Sequence, residues 1–340
     1  DVGGVKIGGA PVAIQSMSTF SPVDTAYAAA QINALGKAGA DIVRVAVPDR
    51  RAAEALKDLK ALVSIPLVAD IHFDYHLALT AIDSGIDALR INPGNIGRRE
   101  NVVKVVEKAA ERNVPIRIGI NAGSLPADLL DKYGGHPTAE GMVEGALRHV
   151  QILEEEGFHD IVISVKSTDV PMMVKANRML SQKVDYPLHL GVTEAGTLYR
   201  GTIKSAIGIG ALLLDGIGDT IRVSLTDDPL KEEILSSTGM RSYGPPLISC
   251  PTCGRTQVNL IEMAREVEEK IQKFSKPIKV AVMGCAVNGP GEAREADFGI
   301  AGGKGLGHVF RKGKIICTVP ENELIDRLMQ EIEKYEKGEI

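Results

Sequence analysis

A repeated pattern of short apolar runs in the first 226 residues is the strongest constraint on the fold. Each run is rich in Val and Ile and ends in Gly, Asn or a charged residue, and helix-forming segments separate the runs. Near-continuously apolar strands that alternate with helices are typical of a parallel sheet covered by helices. The predicted strands are residues 12–17, 42–47, 67–71, 88–92, 116–121, 161–166, 188–193 and 220–225.

Eight strand–helix units predict an α/β protein with a closed (β/α)8 barrel of the TIM type, which usually takes about 250 residues. A doubly wound open sheet is the competing architecture, but a count of eight strands favours closure. The pattern stops near 239–246, where Tyr-Gly-Pro-Pro resembles a linker. We therefore expect a barrel domain over residues 1–240 and a small α+β domain over 247–340.

The predicted second domain carries its own alternation of elements. After a Cys pair, the sequence predicts a helix near 257–274 and a strand at 278–283. A hairpin-like region at 298–319 and a terminal helix at 321–337 follow. A short extra helix is also expected in the long interval between the fifth and sixth barrel strands.

Polar residues stand at the carboxyl ends of the predicted strands, where TIM barrels carry their functional residues. A single such residue can simply meet solvent, but the same pattern on seven or eight strands favours a common site. Four arginines and a lysine in one barrel mouth would repel one another without an anion, and guanidinium groups suit phosphate oxygens. A diphosphate or bisphosphate ligand is therefore expected. The residues are Arg44, Asp70, His72, Arg90, Asn92, Arg117, Asn121, Ser164, Lys166, His189, Glu194, Arg222 and Ser224.

Composition excludes several classes of partner. The net charge of −5, the absence of Trp and the 4% aromatic content are unlike a nucleic-acid binder. The sequence contains no apolar run long enough for a membrane span and no signal-peptide pattern at its first residues. We therefore expect a cytoplasmic protein that binds neither nucleic acid nor membranes.

The four cysteines lie in the predicted second domain, and such clustering favours metal chemistry over disulfides in a reducing compartment. Cys250 and Cys253 form a CxxC knuckle that zinc ribbons also use, but the sequence has no second knuckle. Cys317 lies in an alternating apolar run and is interpreted as a small buried hydrophobe. Cys285 opens a Gly-rich loop that brings a thiolate close to Glu292. Three thiolates from two loops fit three corners of an iron–sulfur cubane.

Several segments closely resemble the 4-hydroxy-3-methylbut-2-enyl diphosphate synthase family over essentially the whole chain. The two most specific are Cys250-Pro-Thr-Cys-Gly-Arg-Thr and Met283-Gly-Cys-Ala-Val-Asn-Gly-Pro-Gly-Glu292. The others are Gln15-Ser-Met17, Val68-Ala-Asp-Ile-His72, Arg90-Ile-Asn-Pro-Gly-Asn95, Arg117-Ile-Gly-Ile-Asn121 and Gly191-Val-Thr-Glu-Ala195. The form resembled is the bacterial two-domain one. The chain departs from the family pattern at residues 18–21, Ser-Thr-Phe-Ser.

The resemblance implies a reductive enzyme of the methylerythritol phosphate route to isoprenoids. Its substrate would be 2-C-methyl-D-erythritol 2,4-cyclodiphosphate, opened and dehydrated with two electrons from ferredoxin or flavodoxin. A homodimer is implied, in which the cluster domain of one chain caps the barrel of the other.

The resemblance also assigns site residues. A [4Fe-4S] cluster would be bound by Cys250, Cys253 and Cys285, with Glu292 as an exchangeable fourth ligand. Glu194 would donate a proton from a desolvated position in the barrel mouth. The substrate-binding residues would be Arg44, Asp70, His72, Arg90, Arg117, Asn121, Lys166, Arg222 and Ser224.

Two alternatives compete with this interpretation. One is a phosphate-binding barrel synthase or aldolase of the pterin-synthase type with a zinc-stabilised C-terminal domain. The other is a non-enzymatic zinc-ribbon interaction module, which the polar barrel mouth disfavours. Because iron and zinc differ in colour and in stoichiometry, metal analysis separates all three.

Overall fold

The computed structural model describes residues 1–9, 11–92, 96, 98–226, 245–253, 255–285, 293 and 295–340. The chain divides into two compact units, Asp1–Ile234 and Leu235–Ile340. Most of the predicted linker lies outside the described residues, so the domain limits at 240 and 247 stay predictions. No helix in the described ranges is long and apolar enough to span a membrane.

The first unit is a parallel barrel of eight strands, which confirms the predicted fold over the open sheet. Hydrogen-bonded neighbours run in the order β6-β5-β4-β3-β2-β1-β8-β7. An isolated parallel bridge between Ile163 and Leu188 joins β6 to the start of β7 and nearly closes the circle. The strands are β1 Ala13–Met17, β2 Ile42–Ala46, β3 Leu67–Asp70, β4 Ala88–Ile91, β5 Ile116–Asn121, β6 Ile161–Lys166, β7 His189–Leu190 and β8 Thr220–Ile221.

Helices connect these strands. Several begin where the sequence supplies a cap: the side chains of Asp49, Thr138 and Asp169 each accept a hydrogen bond from the first turn of the following helix. Each longer helix buries a stripe of apolar residues, as an amphipathic helix on a sheet must. The helices are α1 Thr25–Lys37, α2 Arg50–Leu62, α3 Tyr75–Asp83, α4 Arg99–Arg112, α5 Ala127–Lys132, α6 Ala139–Glu154, α7 Val170–Ser181 and α8 Leu198–Leu214. The extra helix predicted before α6 is α5.

The amino-terminal segment packs against the end of the barrel where the strands begin. Val2 is buried in one cluster with Ile42, Val68 and Ala88, which stand at or near the starts of β2, β3 and β4. Val2 also pairs with Val5 in a short antiparallel bridge. Burying an aliphatic side chain of this size contributes about 1.5–3 kcal/mol. The cluster therefore fixes the segment across the barrel floor.

The second unit is the predicted α+β domain, built on a mixed five-stranded sheet. Its order is β13-β12-β11-β10-β9, with β9, β10 and β11 parallel and the rest antiparallel. The strands are β9 Leu247–Ser249, β10 Val280–Met283, β11 Phe298–Ala301, β12 Leu306–Arg311 and β13 Lys314–Pro320. Two helices, α9 Leu260–Ile271 and α10 Leu324–Glu336, bury Val267, Leu328 and Ile332 against this sheet. The short strand β9 was not predicted.

Candidate functional site

The carboxyl ends of the barrel strands surround one polar cavity of about 200 Å³. All nine residues predicted to bind substrate line it, and so does the strand-end residue Ser164. Thr193 is a lining residue that the prediction missed. The predicted seventh strand, residues 188–193, ends at Thr193, so strand-end position could have identified it. The lining residues are Arg44, Asp70, His72, Arg90, Arg117, Asn121, Ser164, Lys166, Thr193, Arg222 and Ser224.

Asp70 is the carboxylate of the described lining, and two arginines and a histidine contact it. Arg90 Nη1 donates to Asp70 Oδ1 at 3.1 Å, and Arg44 Nε lies 3.6 Å from Oδ2. His72 Nε2 lies 3.4 Å from the same Oδ2. Burial alone would raise the pKa of Asp70, but the hydrogen bond with His72 and the charges of Arg44 and Arg90 outweigh it and lower the pKa. The Asp70 side chain is therefore ionised at neutral pH.

The described lining of the cavity holds four arginines and a lysine beside the single carboxylate of Asp70. Burial lowers the pKa of Lys166 well below its ordinary value, and the nearby charges of Arg117 and Arg222 lower it further. Burial also lowers the pKa of Arg44 to about 9, despite the opposing effect of Asp70. Five basic side chains and one carboxylate in a small cavity create a strong positive potential.

Buried hydrogen-bond donors in the cavity also lack acceptors. In the described part of the chain, Arg117 Nε and Nη2 and Arg90 Nε have no hydrogen-bond partner. Arg117 does contact Ser164, whose Oγ lies 3.4 Å from Nη1. Leaving a buried donor unsatisfied costs about 1–3 kcal/mol, and more when the donor is charged. An anion with several oxygen acceptors would satisfy these donors.

Two strand-end residues lie elsewhere. His189 stands at the start of β7 and is fully buried, with its Nδ1 3.4 Å from Thr220 Oγ1. It lines a second, largely apolar cavity of about 20 Å³ that also contacts Val2. The expectation that His189 reaches the mouth is therefore wrong. His189 is the first residue of β7, and the chain runs from it toward Thr193, which lines the mouth. Asn92 is buried directly after β4 and is not among the described lining residues.

Glu194 follows the end of β7 in the left-handed backbone region, with a φ of 53°. Its side chain accepts a hydrogen bond from Thr168 Oγ1 at 2.9 Å. The residue is exposed and is not among the described lining residues of the cavity. The expectation of a desolvated carboxyl group at this position is therefore not met in the described chain.

In the second unit, Cys250 and Cys285 stand at the same edge of the sheet. Cys250 directly follows β9, and Cys285 follows β10 with Gly284 between them. The two strands are parallel neighbours. The backbone N–H of Gly284 donates to Cys250 Sγ at 3.2 Å. Cys317 lies instead in β13, at the opposite end of the strand order, and packs against the core of the unit.

The thiols of the knuckle suit a soft metal. A hydrogen bond from the backbone N–H of Arg255 lowers the pKa of the exposed Cys253 thiol, and the thiolate is the form that binds metal. Among the described residues, no three His, Cys, Asp or Glu side chains are arranged to hold a metal ion. Glu292, the predicted fourth ligand, lies outside the described residues. The donor chemistry thus fits iron, whereas the ligand set stays a prediction.

Together, the fold and the site define a two-domain TIM-barrel protein with an arginine-rich barrel mouth and a cysteine-bearing second domain. The chain matches the model of the GcpE TIM-barrel domain over residues 1–237 and that of the GcpE protein C-terminal domain over residues 246–334. It belongs to the GcpE family.

Curated relatives match over nearly the whole chain. A protein of Clostridium perfringens is 60% identical over 98% of this chain and 97% of its own length. One of Geobacillus kaustophilus is 58% identical over 98% of this chain and 90% of its own. Both are named 4-hydroxy-3-methylbut-2-en-1-yl diphosphate synthase (flavodoxin).

Among solved structures, dihydropteroate synthase from Thermus thermophilus aligns with a TM-score of 0.50 and 14% identity. The alignment covers 67% of this chain and 91% of that one. At this identity the likeness concerns the barrel fold alone. The pterin-synthase alternative is therefore not favoured, since the relatives that match both domains carry a different name.

Proposed function

We propose that this chain reduces 2-C-methyl-D-erythritol 2,4-cyclodiphosphate to 4-hydroxy-3-methylbut-2-enyl diphosphate in isoprenoid biosynthesis. The observation that carries the proposal is the cavity in which five basic side chains surround one carboxylate. Such a cavity suits a diphosphate, and the names of the full-length relatives agree with this chemistry. The reaction opens the ring at a C–O bond, consumes two electrons and loses a hydroxyl group as water.

The barrel residues would bind and orient the diphosphate. Arg117 would donate its unpartnered Nε and Nη2 groups to phosphate oxygens, and Lys166 would add a charge-assisted contact from the neighbouring strand. Asp70 would keep Arg44 and Arg90 oriented toward the ligand through the contacts described above. His72, Asn121, Arg222 and Ser224 would complete the site. Because these donors are already placed, little conformational entropy would be lost when the substrate binds.

The second domain would bind a [4Fe-4S] cluster through Cys250, Cys253 and Cys285, with Glu292 as the fourth ligand. Bound there, a cluster supplies the electrons and a Lewis-acidic iron. The Gly284 N–H would stabilise the Cys250 thiolate, and the Arg255 N–H would do the same for Cys253. A carboxylate is a weak ligand for a soft iron, so Glu292 could give up its place to another oxygen ligand.

Loss of the hydroxyl group requires a proton, and Glu194 is the proposed donor. A carboxylic acid can protonate a leaving hydroxyl when it lies within hydrogen-bond reach. Thr168 would orient the Glu194 carboxylate, since the two side chains are hydrogen-bonded.

The remaining assignments concern partners. Flavodoxin is the proposed electron donor, as the names of the relatives state for those proteins, and ferredoxin is an additional candidate. A homodimer and a cytoplasmic location are also proposed.

Anaerobic turnover tests the proposal. The purified chain would be reconstituted with iron and sulfide, supplied with the cyclodiphosphate and reduced flavodoxin, and the product identified by mass spectrometry. We expect 4-hydroxy-3-methylbut-2-enyl diphosphate, about four irons per chain, and loss of product formation in Arg117→Ala. Zinc as the sole bound metal, or no product with iron fully loaded, would contradict the proposal.

A further inference from the structure

Gly119 is a position in the cavity wall that carries no side chain. Along β5, residues 117, 119 and 121 share one face of the strand, because successive side chains alternate. Arg117 and Asn121 both line the cavity, so Gly119 faces it between them. Its partner across the sheet is Ser164 of β6, which also lines the cavity.

The guanidinium group of Arg90 occupies the space that a side chain at position 119 would need. A Cβ atom placed on Gly119 would lie 2.7 Å from Arg90 Nε, 2.8 Å from Nη2 and 3.1 Å from Cζ. These three atoms are its nearest neighbours, and all belong to Arg90. Contacts this short are not tolerated, so Arg90 and any residue larger than Gly cannot both keep these positions.

The same guanidinium group makes the polar contacts that orient it. Its Nη1 donates to Asp70 at 3.1 Å and lies 3.3 Å from the ring nitrogens of His72. Its Nε is buried and has no hydrogen-bond partner in the described part of the chain. The Arg90 side chain is only 8% exposed, so it has little room to move aside without leaving these contacts.

We propose that Gly119 is a positioning residue for anion binding, because its missing side chain lets the Nε–Nη2 edge of the Arg90 guanidinium approach β5 closely. The inference rests on the proposed function only for the identity of the anion. A methyl group at position 119 displaces the tip of a flexible side chain and no backbone atom. The backbone should therefore keep its fold, whereas the placement of Arg90 and its contact with Asp70 are lost.

Gly191 shows why Gly119 is the better test. A Cβ atom on Gly191, directly after β7, would lie 2.7 Å from Lys166 Nζ, which is a similar relationship. It would also lie 2.7 Å from the carbonyl oxygen of Arg222, directly after β8, so a methyl group there would push on the backbone. Gly191→Ala would thus disturb the backbone as well as Lys166, whereas the three atoms nearest the new methyl group in Gly119→Ala all belong to the Arg90 side chain.

The test compares Gly119→Ala with Gly210→Ala, a buried glycine of α8 whose Cβ would meet no atom within 4 Å. Calorimetry would measure the affinity of each purified chain for inorganic diphosphate and for the cyclodiphosphate. Losing one charge-assisted contact is expected to weaken both affinities about tenfold to a hundredfold in Gly119→Ala. Gly210→Ala should bind and unfold as the parent does. Gly119→Ala should stay folded but unfold at a lower midpoint, because the buried contact between Arg90 and Asp70 is disturbed.

An Arg90→Ala background shows whether Gly119 acts through Arg90. Without the guanidinium the three atoms nearest the added methyl group are gone, so Gly119→Ala should change the diphosphate affinity less than about twofold in that background. An equal loss in both backgrounds, or parent affinity for diphosphate in Gly119→Ala, would overturn the inference. A parent chain that binds diphosphate but not the cyclodiphosphate would instead overturn the proposed substrate and leave the Gly119 comparison intact.

Discussion

Asp70 accepts a hydrogen bond from Arg90 at 3.1 Å, and both side chains are less than one-tenth exposed. Arg44 approaches the other carboxylate oxygen of Asp70 at 3.6 Å. One buried carboxylate thus holds two arginines from the neighbouring strands β2 and β4. Among the described residues, Arg117 keeps two buried N–H donors without a partner, and these are available to an anion.

Asp70→Asn should destabilise the chain without ligand. Removing one partner of a buried ion pair costs about 3–5 kcal/mol, because it leaves an uncompensated charge. We expect a fall of this size in the free energy of unfolding, measured with denaturant on the first unit's transition. Added diphosphate should restore part of the loss, since it supplies the missing negative charge.

Asp74→Asn is the matched control for that change, because Asp74 is an exposed capping residue at the start of α3 and Asn caps nearly as well. It should stay within about 0.5 kcal/mol of the parent. The folded-state pKa of Asp70 is lowered, so its stabilising effect is present above the ordinary pKa of Asp and is lost as the pH falls through the lowered value. Equal stability of Asp70→Asn and the parent at neutral pH would contradict the role given to Asp70.

Lys166→Met should weaken binding far more than folding. The ammonium group would contribute a charge-assisted contact to the ligand, about 1.5–3 kcal/mol or tenfold to a hundredfold in affinity. Without ligand its removal relieves repulsion by Arg117 and Arg222, so the unfolding midpoint should be unchanged or higher. Lys175→Met, at an exposed position on α7, is the control and should bind as the parent does. Unchanged affinity for the cyclodiphosphate in Lys166→Met would exclude a contact from this residue.

The pH dependence of Lys166 gives an independent test. Its pKa is lowered in the folded chain, so the unfolded chain binds more protons between the lowered and the ordinary value. The free energy of unfolding should therefore rise with pH across that interval, while affinity for the cyclodiphosphate falls as the ammonium charge is lost. Both trends should be weaker in Lys166→Met. Parallel pH profiles for the variant and the parent would show that another group titrates.

The cysteines are expected to separate into two groups. Cys250→Ser, Cys253→Ser and Cys285→Ser should each lose the cluster, measured as iron content and visible absorbance after anaerobic purification. Cys317→Ser should keep it, because β13 lies at the far end of the sheet from β9 and β10. A folded but colourless Cys317→Ser protein would refute the three-thiolate proposal.

Glu194→Gln should keep cluster and substrate binding, because the amide is nearly isosteric with the acid and can still accept from Thr168. Turnover should fall by about 10²-fold or more, the usual contribution of general acid catalysis. Thr168→Ala should give a smaller loss, because it removes only the orienting hydrogen bond. Near-parental turnover of Glu194→Gln, with cluster content matched, would remove this residue from the mechanism.

The barrel was predictable because its strands are local and repetitive. Six of the eight observed strands begin within one residue of their predicted start and end within one residue of their predicted end. β7 and β8 are shorter than expected, since their ladder pairing ends at Leu190 and Ile221. β9 was missed because three residues after two prolines carry too little periodicity to indicate a strand.

The candidate site was predictable in its membership but not in its contacts. Strand-end position alone brought ten residues to the cavity, yet it also included His189, which stands at the beginning of its strand. The relationship between Arg90 and Gly119 depends on the direction of a long side chain across the sheet. Neither the composition nor the spacing of residues along the chain predicts the direction of the Arg90 side chain.

The position of the cavity has a kinetic consequence. Its described lining comes from the carboxyl ends of the strands, whereas Val2 packs at the starts of β2, β3 and β4. A product that keeps its diphosphate would contact the same basic side chains as the substrate, and it must break those contacts before the next substrate can form them. Exchange at this cavity is thus sequential, and accumulated product should compete directly with substrate for entry.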